Sequence, residues 1–196
     1  MPIKKEKKTG VKKAPTHDVF VRNHVDDTGD VPFLGSSVNL SPDIIAMEKL
    51  VINPSKVFGG TNWNKPFLEK HIVRYGRDNY IYGRVANRGT GSVHVKLSFH
   101  WALSHQCISP KDWTLLETIP LHDVLPGERR VVGPIVWTKT KNPGVGAYFL
   151  AAVISPLDIP DSFATGGDYY NFLRKQNNIC HRNIAVLAEG MDTLPL

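Results

Sequence analysis

Cys180 and His181 are adjacent, the pairing of types from which a thiolate nucleophile and its general base are made. On a strand, neighbours point to opposite faces, so these two cannot form a dyad with each other. A small core cysteine and a surface histidine are the expected roles. His94 and His100 share one strand face, but six residues at strand rise separate them by about 20 Å, too far for one metal ion. His105 approaches His100 only if the chain bends, and no third ligand suggests itself. Asp26, Asp27 and Asp30 around Gly29 offer oxygen ligands, yet the ligand series and distal Glu of a calcium loop are missing. An Asx-turn is the simpler expectation there. The glycines between Gly83 and Gly91 precede no helix N-terminus and make no phosphate cradle. There is no GxSxG motif, and Asn39-Leu40-Ser41 is only a formal glycosylation sequon. No catalytic site, metal or cofactor is expected.

Contact chemistry is better represented. Trp63 and Trp113 fall in expected loops beside prolines and charges, where an exposed indole can anchor a protein or sugar. With Phe58, Phe67 and Tyr75 close in sequence, Trp63 makes the loop of residues 53–77 the preferred contact surface. The alternative is that this loop folds its aromatics onto the sandwich edge. Trp101 and Trp137 lie on strands and read as core.

The net charge of +6 is concentrated at one end. Lys4, Lys5, Lys7, Lys8, Lys12 and Lys13 against Glu6 give +5, leaving 18 basic and 17 acidic side chains elsewhere. The alkaline balance thus belongs to a leader rather than to a domain face. A segment so poor in large apolar residues is expected to stay disordered, the alternative being a tag that docks on an anionic surface. No aromatics interleave with the lysines, so nucleic acid is not the expected partner. At 41% apolar residues a globular core is affordable. No apolar run approaches a membrane span and no h-region follows the basic start. A cytoplasmic location, or export by a signal-independent route, is the expectation. Two cysteines are too few for a disulfide framework, and a Cys107–Cys180 bridge is left open.

The elements that must position these residues are strands. From Asn79 to Trp101 the chain reads as a hairpin around the turn Asn87-Arg88-Gly89-Thr90-Gly91, whose residues tolerate positive φ. Val93, Val95, Leu97, Phe99 and Trp101 alternate with His94, Lys96, Ser98 and His100, as in a strand with one face in a core. Further strands are predicted at Asp18–Arg22, Asp43–Ala46, Lys70–Val73, Leu115–Leu121, Arg130–Trp137, Ala147–Ser155 and Ile179–Leu187. Leu125-Pro126-Gly127-Glu128 reads as a type II turn, and Tyr169, Phe172 and Leu173 space a short helix over Asp168–Gln176. Short strands between turn signals make an all-β, Ig-like sandwich. The predicted organisation is a flexible basic leader at 1–16, the sandwich at 17–188 and a frayed end at 189–196.

Several landmarks, in order, resemble the CARDB-like, immunoglobulin-type domains of bacterial secreted and surface proteins. They are Ser41-Pro42-Asp43-Ile44, the run Tyr80–Gly89, Leu125-Pro126-Gly127, Trp137, Gly146-Ala147-Tyr148 and the closing Asn177–Ile184. The resemblance implies binding or architecture rather than chemistry. The expected function is a non-catalytic interaction or adhesion-type module docking to a protein partner or multi-protein assembly. The alternatives are a cargo or structural component of a phage-like contractile particle, with the leader as loading signal, and a carbohydrate-binding adhesin.

Overall fold

The computed structural model describes residues 15–66 and 72–193. The leader lysines Lys4, Lys5, Lys7, Lys8, Lys12 and Lys13, together with Phe67, lie outside the described residues. Nine strands are described: β1 (Val19–Phe20), β2 (Ile44–Met47), β3 (Ile72–Arg74), β4 (Asn79–Asn87), β5 (Val93–Leu103), β6 (Thr114–Val124), β7 (Arg129–Trp137), β8 (Gly146–Ser155) and β9 (Ile179–Leu187). In the first sheet β7 pairs with β4 along one edge, while β2 and β1 take successive stretches of the other. The second sheet runs β3-β9-β8-β5-β6, antiparallel except for the β3–β9 pair.

Alternation supplies the core. Ile81 and Val85 of β4, Ile135 and Trp137 of β7 and Ile44 of β2 face Leu97 and Phe99 of β5, Leu150 and Ile154 of β8 and Cys180 and Val186 of β9. Each such large side chain, once buried, stabilises the fold by about 1.5–3 kcal/mol. The central strands are covered on their other faces too. Helix α2 (Gly166–Arg174) lays Tyr169 and Leu173 over Phe149, Ala151 and Val153, and helix α1 (Pro54–Phe58) lays Phe58 over Ile45 and Tyr82. Double cover explains why β8 reads as an unbroken apolar run.

The predicted hairpin does not form. Its two arms have nearly the predicted spans, but β4 lies in the first sheet and β5 in the second, so they face each other across the core. Alternation reports that one face is buried and is silent about which strand lies alongside. The linking glycines are also not in the left-handed region. Gly89 is required because a Cβ there would stand 2.6 Å from the Thr16 carbonyl oxygen and 2.8 Å from the Asp18 nitrogen. Between the sheets Gly83 leaves room for its neighbours: a Cβ there would lie 2.6 Å from Phe99 Cζ and 3.1 Å from Leu97 Cδ2. Gly83→Ala is therefore expected to cost about 1–3 kcal/mol by overpacking, read as a lower urea midpoint at unchanged slope.

Other expectations fare better. Glu128 N–H donates to the Leu125 carbonyl at 3.0 Å and Gly127 has φ 76°, as a type II turn requires. Helix α2 starts two residues before the predicted position, because Thr165 at the N-cap and Asp168 three residues on form a reciprocal capping box across Gly166 and Gly167. The connection of residues 53–77 contains α1, a 3₁₀ turn at Gly60–Asn62 and β3, the last overlapping the strand predicted at Lys70–Val73. Among the described residues no helix is long and apolar enough to cross a membrane.

Candidate functional site

The segment Ser41-Pro42-Asp43 leads into β2, and Asp43, immediately before the strand, is 1% exposed. Arg22 satisfies it. The Arg22 backbone N–H donates to Asp43 Oδ2 at 2.7 Å, and Arg22 Nη2 and Nε donate to Oδ1 at 2.6 and 3.1 Å. Ser41 Oγ donates to the Arg22 carbonyl at 2.6 Å and accepts from Asp43 N–H at 3.0 Å. Arg182, on β9, donates to the Ser41 carbonyl and so ties the second sheet to the same segment. Arg84, projecting from the outer face of β4, donates to the carbonyls of Pro42 (3.1 Å), Trp63 (2.9 Å), Lys65 (3.1 Å) and Asn62 (3.2 Å). Burial draws the Arg84 guanidinium down to about 10; Asp43 opposes this and Arg22 adds to it. Burial brings Arg182 to about 10 as well. Both remain charged at neutral pH. One buried carboxylate and several carbonyl dipoles thus hold three buried guanidinium groups.

Trp63 seals this node. The guanidinium carbons of Arg22, Arg84 and Arg129 lie 4.9, 5.7 and 5.7 Å from its ring centroid. Its other neighbours are Phe20, Ala86 and Val131. The predicted exposed anchor is therefore a buried one: Trp63 is 3% and Phe58 1% exposed. The reason is the outer face of β4, where Tyr82, Arg84 and Ala86 need cover that the loop after β2 provides. The loop folds over the face of the sheet, not its edge. Trp113 is half-buried on the opposite side of the sandwich, its Nε1 donating to the Gln106 carbonyl at 3.1 Å and its ring 5.2 Å from Phe149. Tyr75 is 50% exposed. Among the described residues, the aromatics chosen from the sequence are thus spread over separate parts of the sandwich and do not form one surface.

Beside Trp63 a cleft of about 370 Å³ opens between the turn at residues 25–28, the start of β7 and Asn64. Its charged lining is Arg22, Asp26, Asp27, Arg88, Glu128 and Arg129. Asp27 accepts backbone N–H groups from Asn23 and Gly29 at 2.8 Å each, the expected Asx-turn, and burial raises its carboxyl above the usual range. Asp30 pairs with Arg88 at 2.6 Å, which lowers its carboxyl. These oxygens are aimed at amides and a guanidinium.

His181 corrects the expectation of a surface histidine. It is 1% exposed beneath α2, with Nδ1 3.0 Å from Tyr169 Oη and Nε2 2.7 Å from Asn183 Oδ1. The amide oxygen can only accept, which places the imidazole proton on Nε2 and leaves Nδ1 to accept from Tyr169. Burial lowers the ring to about 4, although the Asn183 bond acts in the opposite direction. Nothing in the alternation of β9 announces the helix on its outer face, so this residue was missed. Cys180 and Cys107 are free and buried, and burial pushes both thiols up, away from nucleophilic readiness. His100 is half-buried, its ring 6.2 Å from Trp113, and burial lowers its pKa. Among the described residues no group of three His, Cys, Asp or Glu is placed to hold a metal ion.

The geometry defines a two-sheet β-sandwich whose first sheet is locked to its cover by an arginine–tryptophan node. No family model and no curated protein matches the chain. Solved structures do. The chain is similar in fold to the CARDB domain of the PF1109 protein from Pyrococcus furiosus, crystallised in complex with di-metal ions. The identity is 13% over 94% of this chain and 100% of that one, with a TM-score of 0.45. A solution structure of that domain shows 15% identity over 74% of this chain and 94% of that one, at 0.35. A crustacean hemolymph-type prophenoloxidase shows 10% identity over 93% of this chain and 36% of that one, at 0.46. The expected CARDB-like likeness is thus found, while the sandwich assignment stands on the two sheets themselves.

Proposed function

We propose that this chain is a non-catalytic interaction module that docks to a protein partner or a larger assembly. The supporting observation is a contrast in exposure. Cys107, Cys180 and His181 are buried, while large apolar side chains stand in solvent at one end of the first sheet. Leu50 and Ile52, 55% and 80% exposed, flank Val51, which packs under Tyr80 and Tyr82. A groove of about 510 Å³ beside them is lined by Glu48, Leu50, Arg77, Asp78, Tyr80 and Lys139. Val136, across the ladder from Tyr80, is exposed, as is Tyr75 at the neighbouring turn. Apolar side chains rimmed by charge suit a partner-facing patch. The leader lysines would add a salt-screened attraction to an acidic partner.

The test is the native mass of the protein in gently lysed source cells, by sizing and mass spectrometry. The wild type is expected in a complex, and a Leu50→Asp/Ile52→Asp double variant to move to the 21.9 kDa monomer position. A wild type that runs as a monomer sinks the docking reading. A variant that keeps its partners sinks the assignment of the patch. Deleting residues 1–13 should weaken capture at low salt and flatten its salt dependence.

A further inference from the structure

Six charged side chains line the cleft beside Trp63, and five of them already have partners. Arg22 is held by Asp43, and Arg88 lies between Asp18 and Asp30. Glu128 accepts from Arg130 at 2.6 and 2.9 Å. Asp27 is consumed by two backbone amides, and Asp26 stands 3.3 Å from His24. Arg129 is different. It is exposed, no ion pair among the described residues includes it, and its contact is with the indole of Trp63 at 5.7 Å. Beneath the same ring lies Arg84, solvated by carbonyl oxygens and still charged. Three guanidinium groups therefore converge on one indole, and of these Arg129 is the exposed one.

We infer that this cleft binds a monocarboxylate, gripped by the guanidinium of Arg129. A planar fork of donors matches a carboxylate in bidentate fashion, and stacking on Trp63 fixes the fork before the ligand arrives. The carboxylates of Asp26 and Glu128 on the same lining oppose a second negative charge, so a phosphate dianion is disfavoured. Phe20, Val25 and Ala86 give the apolar body of such an acid a wall to lie on, and the volume fits a small ligand or one side chain. The site is separate from the apolar end of the sheet and does not depend on it.

The test uses the full chain and the arginine Nε–Hε resonances. Phenylacetate, a blocked peptide with one glutamate and inorganic phosphate are each titrated. A saturable shift at Arg129 with either carboxylate is expected, and the tighter of the two identifies the source as a free acid or a protein side chain. Arg129 is exposed, so Arg129→Gln should leave the fold intact and weaken binding at least about tenfold, the worth of a charge-assisted pair. Arg129→Lys, which keeps the charge and loses the fork, should fall between. No saturation by either carboxylate at tens of millimolar overturns the inference. So does phosphate binding more tightly than both, or an Arg129→Gln variant that binds as the wild type does.

Discussion

Asp43→Ala should lower the stability of this protein by about 3–5 kcal/mol, the usual cost of removing one partner of a buried ion pair. The loss exceeds that of the bonds themselves, because the Arg22 guanidinium would remain buried with only the Trp63 carbonyl and Asn64 Oδ1 as acceptors. The Arg22 backbone N–H would lose its acceptor as well. Arg84 and Arg22 would then repel each other beneath Trp63 with no carboxylate between them. Asp43→Asn keeps an acceptor in place and should cost less than alanine. A Tm lower by roughly 10 °C or more for Asp43→Ala is the expected reading in thermal unfolding. A drop corresponding to less than about 1 kcal/mol would show that the node is hydrated and carries little of the fold's stability.

Acidification is expected to weaken the fold through His181. In the folded protein its ring titrates near 4, well below the ~6.5 of an unfolded histidine. Between those values the unfolded chain binds the proton that the folded chain refuses, so stability falls as pH falls. The contribution is intact above about pH 6.5 and declines by about 3 kcal/mol as the pH reaches about 4. His100, also lowered by burial, acts in the same direction, and the lowered carboxyls of Asp30 and Glu128 extend the loss to more acid pH. Asp27, raised by burial, works against it. Denaturant midpoints across pH 4–7 should show the slope, and His181→Phe should flatten it whatever its own stability. A wild-type slope equal to that of His181→Phe would mean that the ring titrates in the folded state as it does in the unfolded one.

The two residues behind these predictions were read differently from the sequence. Asp43 appeared only within Ser41-Pro42-Asp43-Ile44, as a mark of resemblance, because a lone aspartate before a strand carries no sign of its partner 21 residues away. His181 was assigned to the surface because β9 alternates, and alternation assumes that one face is wet. The cover of the outer faces is decided by α1 and α2, which lie far away in sequence. Trp63 failed as an exposed anchor for the same reason: its loop has no period of its own, and its place is set by the polar and aromatic residues of β4 that need shielding.

Local patterns alone determined the strands, the type II turn and the α2 helix, because period, turn chemistry and capping act over a few residues. The all-β class followed from them. Only the tertiary structure decided that β4 and β5 part into separate sheets, that Gly83 passes against Phe99, and that three arginines meet on one indole. Pairing and burial depend on contacts between distant segments, and a single chain's spacing holds no record of which segments meet.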